Sequence, residues 1–161
     1  MAQILRHSRL EAHSNTRKAK IFAPYKPETE NIPKKQESIL LLKAVEREDY
    51  AELNRLIYTV DLETKDRDGW TSLMIASSYG QIRDVNLLME KGANIEARNN
   101  LGMSVLMIAV LSRQTDIVKL LIGKGADVNA MNIFGMNILT YARENKLQDM
   151  VGLLQEAGAE E

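Results

Sequence analysis

From residue 66 onward, short polar stretches alternate with two kinds of apolar run, and the alternation repeats. Gly69, Gly102 and Gly135 are spaced by 33, as are Leu73, Leu106 and Leu139, and Ala76, Ala109 and Ala142. Gly92, Gly125 and Gly158 keep the same step, and so do the pairs Leu87-Leu88, Leu120-Leu121 and Leu153-Leu154. Several kinds of position recurring at one period mark three tandem units, each of which buries its apolar face only against its neighbours.

Each unit reads in chain order. The first glycine lies between polar residues and a helical apolar pattern, where a tight turn needs positive φ. Two residues later Thr71, Ser104 and Asn137 offer side-chain oxygens to the orphan N–H groups of a helix start. The apolar spacing that follows predicts a short helix of about ten residues. A second run, such as Ile117, Val118, Leu120 and Leu121, predicts another helix. Lys91-Gly92 and Lys124-Gly125 close that helix with a cation in the last turn and a left-handed cap.

Residues 39–65 read as a degenerate first unit. Leu41 and Ala44 precede Leu73 and Ala76 by 32, and Leu53, Leu56 and Ile57 supply the second helix. Thr59-Val60 stands where the closing glycine is missing. The last unit turns polar in its outer helix (Gln148, Asp149, Gln155, Glu156), as a terminal repeat facing water should. The predicted organisation is an arm over 1–38, then units of about 39–65, 66–98, 99–131 and 132–161.

The stretch Asp66-Arg67-Asp68-Gly69-Trp70-Thr71-Ser72-Leu73-Met74-Ile75-Ala76 resembles the opening of an ankyrin repeat. Val118-Lys119-Leu120-Leu121-Ile122-Gly123-Lys124-Gly125-Ala126-Asp127-Val128-Asn129-Ala130 resembles its close. The resemblance covers about 39–161 and implies an all-α solenoid. Paired helices would stack side by side, with β-hairpin fingers projecting at right angles. Three departures from the family pattern stand out. Ser72-Leu73-Met74, Val105-Leu106-Met107 and Ile138-Leu139-Thr140 replace the usual Pro-Leu-His. The interhelix glycine survives only as Gly80, with Arg113 and Lys146 in its later places. Asp84 occupies a normally apolar position. These changes are expected to weaken local stability without threatening the fold.

Composition adds a charge split. The 161 residues hold 21 basic and 22 acidic side chains. Residues 1–35 hold eight basic and three acidic ones, a net of +5, and the other 126 residues hold 13 and 19, a net of −6. A basic arm therefore precedes an acidic body. There is no cysteine, which removes disulfides, thiolate nucleophiles and Cys-type metal sites. The apolar runs are far too short to cross a bilayer.

Candidate chemistry is sparse. There is no Gly-rich phosphate loop followed by Lys-Ser or Lys-Thr, and no His-Glu-x-x-His zinc signature. His7 and His13 lie in the arm and read as solvated. Glu46, Glu48 and Asp49 read as a charged helix start. The chain is expected to be non-enzymatic, with no cofactor and no metal.

The resemblance implies that a concave face of finger tips and inner helices engages a protein partner. Flanking the turn glycines are Arg67, Asp68 and Trp70, then Asn100, Leu101 and Met103. The last unit has Ile133, Phe134 and Met136, preceded by Met131. Apolar residues at these flanks rise from one to two to three along the stack, and Tyr79 and Leu111 extend the same face. Exposed turns favour polar residues, so apolar side chains here point to an interface. The alternative is that neighbouring fingers pack them against each other. Met74 and Met107 read as plain core.

The arm has three readings: a tail without fixed structure, an extended peptide that docks through Ile21, Phe22 and Tyr25, or a mitochondrial presequence. The leading expectation is an interaction module or scaffold in a hetero-complex, with the arm as a second attachment. The alternatives are an assembly subunit whose basic arm contacts nucleic acid or an anionic membrane, or an inhibitor or immunity-type protein that blocks its partner. Cytoplasm is expected because residues 1–20 lack the apolar stretch of a signal peptide, with the mitochondrion as the alternative.

Overall fold

The computed structural model describes residues 34–160, which form eight helices. They pair as α1 (Lys34–Glu46) with α2 (Tyr50–Leu56), α3 (Ser72–Ser78) with α4 (Ile82–Glu90), α5 (Val105–Leu111) with α6 (Thr115–Gly123), and α7 (Ile138–Glu144) with α8 (Gln148–Glu156). Inner helices α1, α3, α5 and α7 stack in a row. The first helix opens at Lys34, ahead of the boundary at 38–39 read from the repeat spacing, and Ser38 is already buried.

Position in the row sets the burial of each helix. In α5, Val105 through Val110 are all buried, which suits a helix apolar on every side and enclosed between neighbours. The outer helices bury one face only: Val85 and Leu88, then Ile117, Val118 and Leu121, then Met150, Val151 and Leu154. In α7, Thr140 and Arg143 replace the buried Met107 and Val110 of the preceding unit, so the last inner helix turns a polar side outward.

The caps form as the sequence predicts. Thr71 Oγ1 accepts from the Met74 N–H at 3.4 Å, Ser104 Oγ from Met107 at 3.3 Å, and Asn137 Oδ1 from Thr140 at 2.8 Å. Asp49 caps α2 by accepting from the Glu52 N–H at 3.1 Å. Helices α3, α5 and α7 run for seven residues each, shorter than the expected ten. Each is cut off by a left-handed residue: Gly80 (φ 71°), Arg113 (φ 58°) or Lys146 (φ 57°), matched by Glu48 (φ 56°) after α1. The turn keeps its backbone where the glycine is lost, and the side chain carries the strain.

The fingers are tighter than the β-hairpins expected. Single antiparallel bridges, Arg98 to Ser104 and Met131 to Asn137, stand in place of strands. Polar side chains tie successive units together. Gln81 Nε2 donates to the Val45 carbonyl at 3.0 Å and Gln114 Nε2 to Ser78 at 3.1 Å. Glu63 and Glu96 each accept from a backbone N–H of the following unit, Asn94 and Asp127, at 2.8 Å. Asp84 is fully buried, and among the described residues neither of its carboxylate oxygens has a hydrogen-bond partner.

Candidate functional site

The finger tips are shaped by one aspartate and two asparagines that recur at the repeat period. Asp66 Oδ1 accepts from the N–H groups of Asp68 and Trp70 at 2.9 and 2.8 Å. Asn99 Oδ1 accepts from Leu101 and Met103, both at 3.0 Å, and Asn132 Oδ1 from Phe134 and Met136 at 2.9 and 3.0 Å. These local bonds fold each tip into an Asx-type turn around its glycine. Their signal was present in the sequence, three residues before each turn glycine, but sequence reasoning attached no role to it.

Long cations brace the finger bases. Lys65 Nζ donates to the Arg98 carbonyl at 2.7 Å, and the Arg98 guanidinium donates to the carbonyls of Gly102 and Met131 at 3.0 and 2.6 Å. Adjacent fingers join directly: the Asn100 N–H donates to the Asp68 carbonyl and the Ile133 N–H to the Leu101 carbonyl, both at 3.1 Å. Asn100 Nδ2 also donates to the Arg67 carbonyl at 2.9 Å, so Asn100 holds two fingers together.

The predicted face residues divide by exposure. Tyr79, Leu101, Leu111, Met131, Ile133, Phe134 and Met136 are exposed, with Phe134 reaching 72 % and Ile133 63 %. Arg67, Asp68 and Asn100 are exposed as well. Trp70 and Met103 are half-buried and pack against the core. Packing between fingers is real but partial, since Ile133 lies beside the turn at Gly102 and still leaves most of its side chain in water. Met103, Leu111 and Met136 come together with Met107, Ile138 and Tyr141 around an open, almost wholly apolar groove of about 190 Å³, which Asn132 and Asn137 also line.

Tyr141 had escaped sequence reasoning, because its repeat equivalents, Ile75 and Ile108, are core. Met107 is buried as expected, and it also lines this groove. Ile39, Tyr50, Tyr58 and Ile82 are further exposed apolar residues that the repeat pattern did not single out. Two of them carry cations, with the Arg83 guanidinium 5.1 Å from the Tyr50 ring centre and the Lys91 ammonium 4.4 Å from that of Tyr58.

The perturbed titrations lie in the helices rather than on the fingers. The hydrogen bond from Arg55 holds the Glu52 carboxyl below its ordinary range. Burial pushes Asp84 up, Glu48 adds to that, and Arg83 opposes it. Among the described residues no group of three or more His, Cys, Asp or Glu is placed to hold a metal ion, and no helix is long and apolar enough to cross a membrane. The arm residues Ile21, Phe22 and Tyr25, and both histidines, lie outside the described residues.

The 33-residue period, the capped helix pairs and the left-handed interhelix turns describe one architecture. The family model for ankyrin repeats (3 copies) matches residues 12–99, 40–132 and 96–161. The chain belongs to the ankyrin-repeat family. Ankyrin repeats are in general protein–protein interaction modules, and their domains are typically non-enzymatic. A comparison with curated proteins finds no match to this chain.

Proposed function

We propose that this ankyrin stack is a non-enzymatic module that holds a protein partner on its concave face, within a hetero-complex. The observation that carries the reading is the run of exposed apolar side chains on well-braced fingers, from Leu101 to Met136, beside the groove of Met103, Leu111 and Tyr141. Contiguous apolar surface of this kind is costly on a free surface and matches the centre of an interface, where aromatic residues and methionine are enriched. Rigid placement helps, because little conformational freedom remains to be lost on binding. The basic arm, opposite in charge to the repeats, is the second attachment. Two contacts on one chain raise avidity without a large interface at either.

The reading is tested by pull-down from the native cell with wild type and a Leu101→Arg, Phe134→Arg double variant shown by circular dichroism to stay folded. A protein retained by the wild type and lost by the variant supports it. Capture of the same proteins by both contradicts it.

A further inference from the structure

The unpaired buried polar atoms of this stack are gathered in one unit. Among the described residues five buried side-chain atoms have no hydrogen-bond partner: Ser72 Oγ, Ser77 Oγ, Gln81 Oε1 and both oxygens of Asp84. The unit that follows places Val105, Val110 and Ile117 at the positions of Ser72, Ser77 and Asp84, and all three are buried. The third unit is thus apolar where the second is polar. A buried polar group without a partner carries a desolvation penalty, and a carboxylate carries the largest once it ionises.

Asp84 lies at the joint between the first and second units. Its helix, α4, starts beside Gln81, whose Nε2 donates to the Val45 carbonyl of α1 at 3.0 Å. Arg83 places its guanidinium 5.1 Å from the ring centre of Tyr50, at the start of α2. Two charged groups act on the Asp84 carboxyl: Glu48, from the turn between α1 and α2, and Arg83 on its own helix. Of the other elements around α4, helix α3 carries no titratable side chain, and Asp116 and Lys119 of α6 are exposed. On α2, the Glu52 carboxylate is taken by Arg55 at 2.8 and 2.6 Å. An ionised Asp84 is therefore penalised twice, by the loss of water and by the Glu48 charge across the joint.

What holds the joint shut is mainly the packing of α1 on α3, together with the Gln81 bond. Arg83 on Tyr50 and Lys91 on Tyr58 add contacts at exposed rings, where such contacts are weak.

We propose that this joint is gated by pH. With Asp84 protonated the unit of α1 and α2 is docked, and with Asp84 ionised it opens from the stack while α5 to α8 stay folded. The sign follows from burial and Glu48, which both favour the protonated carboxyl of the docked state. Docking is then strongest in acid and weakens as pH rises from the ordinary aspartate range through the raised native value. The length of the stack, and of its concave face, follows pH. Partial opening of this kind draws on the least stable part of a fold.

The test is native-state hydrogen exchange on the full chain at about pH 4 and about pH 7.5, with protection factors corrected for the intrinsic pH dependence of exchange. Wild type is compared with Asp84→Ile and Asp84→Asn, both of which remove the titrating group. Asparagine keeps the size of the side chain, so the comparison does not depend on how well isoleucine packs. The expected result in wild type is protection of α1 and α2 at least about tenfold lower at the higher pH, with α5 to α8 changed by less than about threefold. Both variants should lose this response. Equal protection of α1 and α2 at the two pH values in wild type overturns the proposal. So does a loss spread evenly over all eight helices, because Asp84 then sets the stability of the whole stack and gates nothing. A response that persists in both variants belongs to another group and overturns it as well.

Discussion

Position 84 carries a carboxylate where the next two units carry Ile117 and Met150, both buried. Neither Asp84 oxygen has a partner among the described residues, and burial raises its pKa above the ordinary aspartate value. A native state that holds the proton more tightly than the unfolded chain loses stability as pH rises from the ordinary aspartate range through the raised native value. Asp84→Ile is therefore expected to stabilise the protein by about 1–3 kcal/mol at neutral pH. The gain should shrink below about pH 4, where the carboxyl is protonated in both states. Urea unfolding of both proteins at the two pH values measures this. The left-handed residues give a second prediction at this scale. Arg113→Gly and Lys146→Gly each relieve a strained φ at some entropic cost and are expected to add about 0.5–1 kcal/mol, read as a higher urea midpoint at unchanged slope.

At the scale of the element, the finger is held from both sides, and its neighbours decide what its glycine tolerates. Gly69→Ala and Gly135→Ala impose the same left-handed strain, but only the first drives a methyl into the following finger. Gly69→Ala should cost at least about 1 kcal/mol more than Gly135→Ala in equilibrium unfolding. The helices were largely legible in the sequence, because Thr71, Ser104 and Asn137 announce their starts and the Leu-Ala spacing announces their buried faces. Their length was overread, since an apolar pattern does not reveal that Arg113 or Lys146 will take positive φ. The finger tips were legible as to which residues flank the glycines. The turn-forming role of Asn99 and Asn132 was within reach of the sequence, since their bonds are local, but the bracing by Lys65 and Arg98 was not, because it runs to the backbone of the neighbouring finger. Tyr141 stayed hidden because the same repeat position holds the core residues Ile75 and Ile108 in the units before it.

For the whole molecule, the stack is polarised. Apolar finger residues accumulate toward the last unit, while the helices there turn polar. This combination concentrates exposed apolar surface at one end of the row of fingers. The measurement that tests this most directly is hydrogen–deuterium exchange on the full chain, alone and with its captured partner. Slowed exchange confined to residues 98–104, 131–137 and the ends of α5 and α7 is the predicted footprint. Slowed exchange confined to the outer helices α4, α6 and α8, with the fingers unchanged, would contradict the account and place the working surface on the opposite side of the stack.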